Sequence, residues 1–424
     1  MREIRNGNLY IDGTSANELA RIYGTPLMVM SETDIASKCR QIKDEFINRY
    51  ENVRAAYAGK AFLTLAICKI MEREGMCLDV VSGGELYTAI KAEFDPNKIE
   101  FNGNNKSIAE LEMAIEYGVS RIIVDGTDEI SLIESICQRL GKTTKILIRF
   151  SPGVDSHTHE YITTGNIDSK FGVPLSDGII EEVIKAALNS SYIELLGFHF
   201  HVGSQLHDNQ SHIMATKILL ELIEGVMEEF SFIPTEINLG GGFGIRYGDE
   251  DLVKPYSYFL DPVMELISEF FETKGATRPA VVIEPGRSIV GEAGTTLYTI
   301  GTIKNIPGVR KYVSVNGGMT DNIRPALYGS TYEYHIDSNS EKIEKVTICG
   351  KCCESGDILL RDIEVKQPNR GDLFAIYATG AYCYSMSSNY NKIPLPGVVL
   401  TSNGNHRQIV KGQTFEELIE RELF

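Results

Sequence analysis

From residue 53 to 284 the chain alternates short apolar, largely β-branched runs with longer stretches in which apolar residues recur three and four apart. The first pattern is that of a strand buried on both faces, the second that of an amphipathic helix, and together they make the βα unit. Predicted strands are VRAAYA (53–58), CLDVV (77–81), IEF (99–101), RIIVD (121–125), KILIRF (145–150), IELLGFHFH (193–201), TEINL (235–239) and AVVIE (280–284). Seven helical segments lie between these eight runs, and a further helix over about 32–49 precedes the first. The alternation predicts an α/β fold, a (β/α)8 TIM barrel whose first helix comes early, with an open doubly wound sheet as the alternative.

Past residue 290 the texture changes. TTLYTIGTIKNI, KYVSVNGG, KVTICG, DLFAIYATGAY and GVVLTSNG read as strands without long helices between them, which predicts a C-terminal β domain. LYIDG and PLMVM near the start are strand-like too. The expected organisation is therefore an N-terminal segment, 1–31, joining the β domain, a barrel over 32–288, and the β domain over 289–424.

At 424 residues the chain is longer than one core usually supports, in keeping with two domains. A net charge of −17 argues against nucleic acid, whose phosphates call for a basic face. There is no apolar stretch of about 18 residues to span a membrane and no signal-like start, so a cytoplasmic protein is expected. Eight scattered cysteines fit a reducing compartment. Cys349, Cys352 and Cys353 are close in sequence, but no second pair follows to complete a four-ligand zinc site, and no metal is expected.

A barrel of this kind gathers its chemistry at the C-terminal strand ends, where eight loops meet. There the sequence places Gly59-Lys60, Ser82-Gly83-Gly84-Glu85, Asn102-Gly103-Asn104, Ser151-Pro152-Gly153, His201-Val202-Gly203-Ser204, Gly240-Gly241-Gly242 and Glu284-Pro285-Gly286-Arg287. Taken singly each is ordinary: a lysine after a strand is most often solvated, and a glycine run most often a tight turn. Jointly they match the needs of pyridoxal 5'-phosphate. Lys60 can form a Schiff base with an aldehyde. Glycine-loop N–H groups with Ser204 and Arg287 can hold a phosphate. Glu284 can face the pyridine nitrogen and keep it protonated, and His201 can cover the ring face. His199, two residues earlier on the same side, reads as a buried core histidine. The His199-x-His201 pair also admits a metal-hydrolase reading, with His157, His159, His207 or His212 as further ligands, but these fall in loops or at a helix start.

The stretches YAGKA, LDVVSGGEL, DSKFG, GFHFHVGSQ, NLGGGFGIRY, EPGRSIVGEAG, GGMTDNIRPALYG, CESGD and GAYCYSMSSNYN resemble, in order, the motifs of the bacterial diaminopimelate decarboxylases, pyridoxal-phosphate enzymes with an alanine-racemase-like barrel. The resemblance runs from about residue 16 to the C-terminus. It implies decarboxylation of meso-2,6-diaminoheptanedioate to L-lysine and carbon dioxide, the last step of lysine biosynthesis, by a homodimer with shared active sites. It also assigns roles. Lys60 resembles the Schiff-base lysine, His201 the stacking histidine and Glu284 the pyridine-nitrogen partner. Ser204, Gly240, Gly241, Gly242, Gly286 and Tyr382 resemble cofactor-binding positions. Arg287, Arg324, Tyr328 and Tyr382 resemble groups that bind substrate or phosphate. Cys353 and Glu354 resemble a pair supplied by the neighbouring subunit, with Cys353 the proton donor.

Two departures stand out: Phe62 follows Ala61 where the family often has Asn, and VKGQTFEEL replaces the basic run usual before the C-terminal helix. Neither removes a catalytic group. Racemases on this barrel set an arginine against the ring nitrogen, so Glu284 argues for decarboxylation. Arg324 and CESGD favour a substrate with a distal carboxylate over ornithine, arginine, lysine or carboxynorspermidine. A non-catalytic pyridoxal-phosphate binder would be a barrel alone.

Overall fold

The structure, a computed structural model, describes residues 2–154, 169–248 and 250–423. His157, His159 and the aspartate that opens the DSKFG motif lie outside the described residues. The chain forms two compact units, one of residues 39–244 and 252–286, the other of residues 1–38, 245–251 and 287–424.

The first unit is a closed barrel of eight parallel strands: Val53–Ala58, Cys77–Val80, Ile99–Phe101, Arg121–Val124, Thr144–Arg149, Ile193–His199, Glu236–Asn238 and Ala280–Ile283. Every strand predicted from the sequence is present, and the (β/α)8 barrel rather than the open sheet is the result. The helices between them include Leu65–Arg73, Gly83–Lys91, Ile108–Tyr117 and Gln210–Phe230. Their starts are written in the sequence: Thr64, Ser82 and Ser107 each accept a backbone N–H three residues on, and Ser107 with Glu110 forms a reciprocal capping box. The early helix is Glu32–Ile42, followed by a π-helical turn over Lys43–Ile47.

Polar side chains occupy positions inside the short buried strands. Asp79, Glu100, Asn238 and Glu236 are all buried, as is His199. At the lower end Arg121 reaches Glu236 at 3.0 Å and Glu100 at 3.7 Å, and Arg54 also pairs with Glu236. Buried carboxylates cost stability unless paired or protonated, so this end of the barrel is neutralised by its own arginines.

The second unit is a β structure. Leu27–Ser31 pairs antiparallel with Gly294–Ile306 and parallel with Gly397–Ser402, so the chain's beginning and end share one sheet. The sheet runs Ile358–Lys366, Ile343–Cys349, Arg310–Val315, Gly294–Ile306, Leu27–Ser31, Gly397–Ser402 and Asn405–Val410, while Leu373–Tyr377 joins Tyr334–Asp337 to Gly294–Ile306. Strands Tyr334–Asp337, Ile358–Lys366 and Asn405–Val410 are additions to the sequence reading, each short or largely half-exposed and so weak in apolar pattern. One core packs Tyr298, Ile300, Val313, Ile348 and Phe374, and a second packs Leu9, Leu19, Val29 and Leu297.

Gly197 marks the tightest point of the barrel wall. The register against Thr144–Arg149 shifts between Leu195 and Gly197, and a Cβ at Gly197, with φ +152°, would lie 2.0 Å from the Glu236 carbonyl oxygen. The neighbour is backbone and cannot step aside. Gly197→Ala is expected to cost about 1–3 kcal/mol or more, the scale of overpacking, read as a lowered urea midpoint at unchanged slope. An unchanged midpoint would contradict the packing described.

Candidate active site

Lys60 sits in a single 3-10 turn, Gly59–Ala61, that ends the first barrel strand. The turn is fixed from behind by Phe62, which is fully buried and whose carbonyl accepts the Tyr57 hydroxyl at 2.6 Å. The departure at Phe62 is thus a packing anchor and leaves Lys60 in place. Lys60 is half-buried and acts electrostatically on Asp79, Glu85, His201 and Glu284.

Glu284 follows the eighth strand and is 5 % exposed. Three donors converge on its Oε1: His199 Nε2 at 2.9 Å, Asn238 Nδ2 at 2.9 Å and Asn102 Nδ2 at 3.4 Å. Burial alone would raise its pKa, but His199, which also hydrogen-bonds it, and then Lys60 outweigh that and hold it well below the usual carboxylate range. Its neighbours go the other way. Asp79, Glu100 and Glu284 approach within 4.8 Å of one another, and burial, with repulsion from Glu284 next, pushes the Asp79 and Glu100 carboxyls well up. Neither Asp79 oxygen has a hydrogen bond of normal geometry. The cluster therefore carries its negative charge at Glu284, as pairs of crowded carboxylates do when their environments differ.

His201 stands at the end of the sixth strand. Its Nδ1 accepts the Gly241 N–H at 3.2 Å, which leaves the ring neutral with the proton on Nε2. Burial, then Lys60 and Arg149, push its pKa well below the ordinary histidine value. His199, read from sequence as a core histidine, is fully buried, and its partner is Glu284.

The Gly240–Gly242 turn is wired on every side. Gly240 N–H donates to Asn238 Oδ1 at 2.9 Å, Glu284 N–H donates to the Gly240 carbonyl at 2.8 Å, His212 Nε2 meets the Gly241 carbonyl at 2.9 Å, and Leu206 N–H donates to the Gly242 carbonyl at 2.9 Å. His212 is itself stacked on Phe243, with ring centroids 5.5 Å apart. No side chain fits here: a Cβ at Gly240 would meet the Phe200 carbonyl oxygen at 2.5 Å, and one at Gly241 the Glu284 carbonyl oxygen at 2.1 Å. Gly286 is equally constrained, its Cβ falling 2.9 Å from that of Ala58. Ser204 lies in the same stretch as Gly203 (φ +133°) and Gln205 (φ +60°), a tight turn that follows His201.

This donor set fits pyridoxal phosphate. A lysine for the aldehyde, a buried ionised carboxylate for the pyridinium, a neutral imidazole for the ring face and glycine turns for the phosphate are all supplied by the barrel's own strand ends. Sequence reasoning missed Asp79, Glu100 and Asn238, and it had Asn102 only as a polar strand end and His212 only as a possible metal ligand. A polar residue inside a short apolar strand was the available signal, since it must find a buried partner.

The remaining candidates belong to the β unit. The Arg287 guanidinium donates to Tyr247 Oη at 2.6 Å and lies 4.7 Å from the centre of the Tyr382 ring. Arg324 opens a five-residue helix, Arg324–Tyr328. Its guanidinium donates to Tyr332 Oη at 3.0 Å and packs over Tyr328 at 5.1 Å and Tyr247 at 5.7 Å. Burial works to lower its pKa, but Tyr247, Tyr332 and Cys383 more than offset this and the group is held firmly charged. Cys353 and Glu354 are exposed on a separate turn, where Cys353 N–H donates to Asn391 Oδ1 at 2.6 Å and the Tyr390 hydroxyl meets Glu354 Oε2 at 3.5 Å. Among the described residues no helix is long and apolar enough to cross a membrane.

Residues 32–291 match the family model of the pyridoxal-dependent decarboxylases, at its pyridoxal binding domain. That defines the class. Within it, the diaminopimelate decarboxylase of Bacillus subtilis is 46 % identical over 424 residues, covering 100 % of this chain and 97 % of the relative. The crystal structure of diaminopimelate decarboxylase from M. jannaschii in co-complex with L-lysine superposes with a TM-score of 0.94 at 36 % identity, covering 100 % of this chain and 98 % of that one. The Helicobacter pylori diaminopimelate decarboxylase, also complexed with L-lysine, gives 0.87 at 31 % identity over 96 % of this chain and 98 % of its own. The chain belongs to the diaminopimelate decarboxylase family of pyridoxal-dependent decarboxylases.

Lys60→Ala is expected to leave a folded protein that takes no covalent pyridoxal label on borohydride reduction, whereas the wild type is labelled at Lys60. Labelling of the variant to the same extent would assign the aldehyde to another lysine.

Proposed function

We propose that this protein decarboxylates meso-2,6-diaminoheptanedioate to L-lysine and carbon dioxide, the last step of lysine biosynthesis, in the cytoplasm and as a homodimer with shared active sites. The observation that carries the reading is Glu284: a buried carboxylate held ionised among groups that stay neutral, on the barrel mouth that also bears Lys60. When bound, pyridoxal phosphate accepts the electron pair that the departing carbon dioxide leaves on the α-carbon. Lys60 would hold the cofactor through its aldehyde and, when free, would accept or return a proton at Nζ. Glu284, its Oε1 already taking three donors, would face the ring nitrogen and keep it protonated. His201, pinned by the Gly241 N–H, would cover the ring face. Gly240, Gly241, Gly242, Gly286 and Ser204 would hold the phosphate, and Arg287 and Tyr382 are further candidates for it.

Arg324 and Glu354 are the candidates for substrate selection. Arginine binds both oxygens of a carboxylate with its planar fork, and Arg324, braced by Tyr332 and Tyr328, is the group for the distal carboxylate. Glu354 pairs with the distal amine. Cys353 delivers its thiol proton to the α-carbon after carbon dioxide has left. Both are exposed on a turn, which supports their serving a neighbouring subunit. The amino-acid class of the ligand is supported by the L-lysine complexes of the M. jannaschii and Helicobacter pylori proteins.

Glu284→Gln replaces the charge by a neutral amide. Decarboxylation should fall by roughly two orders of magnitude or more, the scale of losing a preorganised electrostatic group, while cofactor binding largely persists. Near-normal turnover would mean that another group faces the nitrogen. Shared sites make a second, separate claim. Lys60→Ala and Cys353→Ala subunits, each inactive alone, should recover about a quarter of wild-type activity after mixing and exchange, because in a two-fold dimer each mixed pair has one intact site. No recovery, with exchange confirmed by mass, would put both residues in one chain's site.

A further inference from the structure

Asn238 joins the Glu284 carboxylate to the glycine turn. It lies in a three-residue strand, Glu236–Asn238, and is fully buried. Both ends of its amide are used. Nδ2 donates to Glu284 Oε1 at 2.9 Å and lies 3.2 Å and 3.3 Å from the two Glu100 oxygens. Oδ1 accepts the N–H of Gly240 at 2.9 Å, where φ is +65° and the turn begins. The other two donors to Glu284 Oε1 lack this second arm toward Gly240: His199 ends at Glu284, and Asn102 Oδ1 accepts the N–H of Gly103 at 3.2 Å, on a different loop.

We propose that Asn238 is a positioning residue that sets the distance between the two ends of the cofactor site, the carboxylate for the ring nitrogen and the turn for the phosphate. A rigid planar amide with one donor and one acceptor suits this work, because its two bonds fix two groups to one plane. Aspartate keeps the acceptor for Gly240 but not the amide donor for Glu284, and sets a further carboxylate beside Glu100 and Glu284. Alanine removes both arms. The proposal rests on the cofactor roles given above to Glu284 and Gly240–Gly242, and it separates them by experiment.

The test uses wild type, N238A and N238D, each stripped of cofactor and titrated with pyridoxal phosphate and with pyridoxal, which lacks the phosphate. Wild-type release of carbon dioxide from diaminopimelate is measured first and judges the functional reading by itself. In N238A the Kd for pyridoxal phosphate should rise at least tenfold while that for pyridoxal changes less than threefold. In N238D the Kd for pyridoxal phosphate should return to within about threefold of wild type, while kcat stays at least tenfold low with KM little changed. A purely structural role would weaken both cofactors alike. Equal weakening in N238A, failure of N238D to restore phosphate-dependent affinity, or full kcat in N238D would each overturn the proposal. Should N238A not fold, N238D alone decides it by the same two criteria.

Discussion

The structure turns on how many negative charges one barrel can hold. Asp79, Glu100, Glu236 and Glu284 are all buried in the same eight-stranded barrel. Two carboxylates about 4.8 Å apart repel by roughly 3–4 kcal/mol at an effective dielectric constant of about 20. Full ionisation is therefore disfavoured, and the charge settles where donors are best arranged. Arg121 and Arg54 neutralise Glu236 at the lower end. Burial and repulsion from Glu284 push Asp79 and Glu100 toward their protonated forms, and Glu284, with three donors on one oxygen, keeps the charge at the mouth. A pyridinium is the cation that such a site accepts.

The rest of the barrel mouth follows from holding that charge in place. Lys60 must stay close without its flexible stem collapsing, and a 3-10 turn braced by Tyr57 and Phe62 fixes its base. A neutral His201 is suited to lie against a cationic ring, and the Gly241 N–H bonded to Nδ1 holds the tautomer. The glycines allow backbone to approach where any Cβ would strike a carbonyl. In the β unit the pattern inverts: Arg287 and Arg324 are buried cations surrounded by tyrosine rings and hydroxyls, ready for anions.

Legibility in the sequence tracked exposure and position. All eight barrel strands were readable because buried parallel strands are continuous apolar runs, and Lys60, His201, Gly240–Gly242 and Glu284 could be picked out because they fall at or just past the ends of those runs. Asp79, Glu100 and Asn238 sit inside the runs, where a polar letter looks like noise until its partner is known. Tyr247 was hidden for another reason. Residues 245–251 belong to the β unit although they follow directly on the glycine turn, so chain order assigned them to the barrel. Half-exposed strands such as Ile358–Lys366 carry too few apolar positions to be seen. Cys353 is an exposed thiol on a turn, and only the resemblance of CESGD to its family gave it a role.

The central claim is that Glu284 is ionised and opposes a protonated ring nitrogen. The most direct measurement is the 15N chemical shift of ring-labelled pyridoxal phosphate bound to the wild-type protein, followed from pH 6 to pH 9. The account predicts the shift of a protonated pyridinium throughout that range, because the carboxylate cannot be neutralised there. A shift characteristic of the unprotonated pyridine, or a titration to it within that range, would contradict the account.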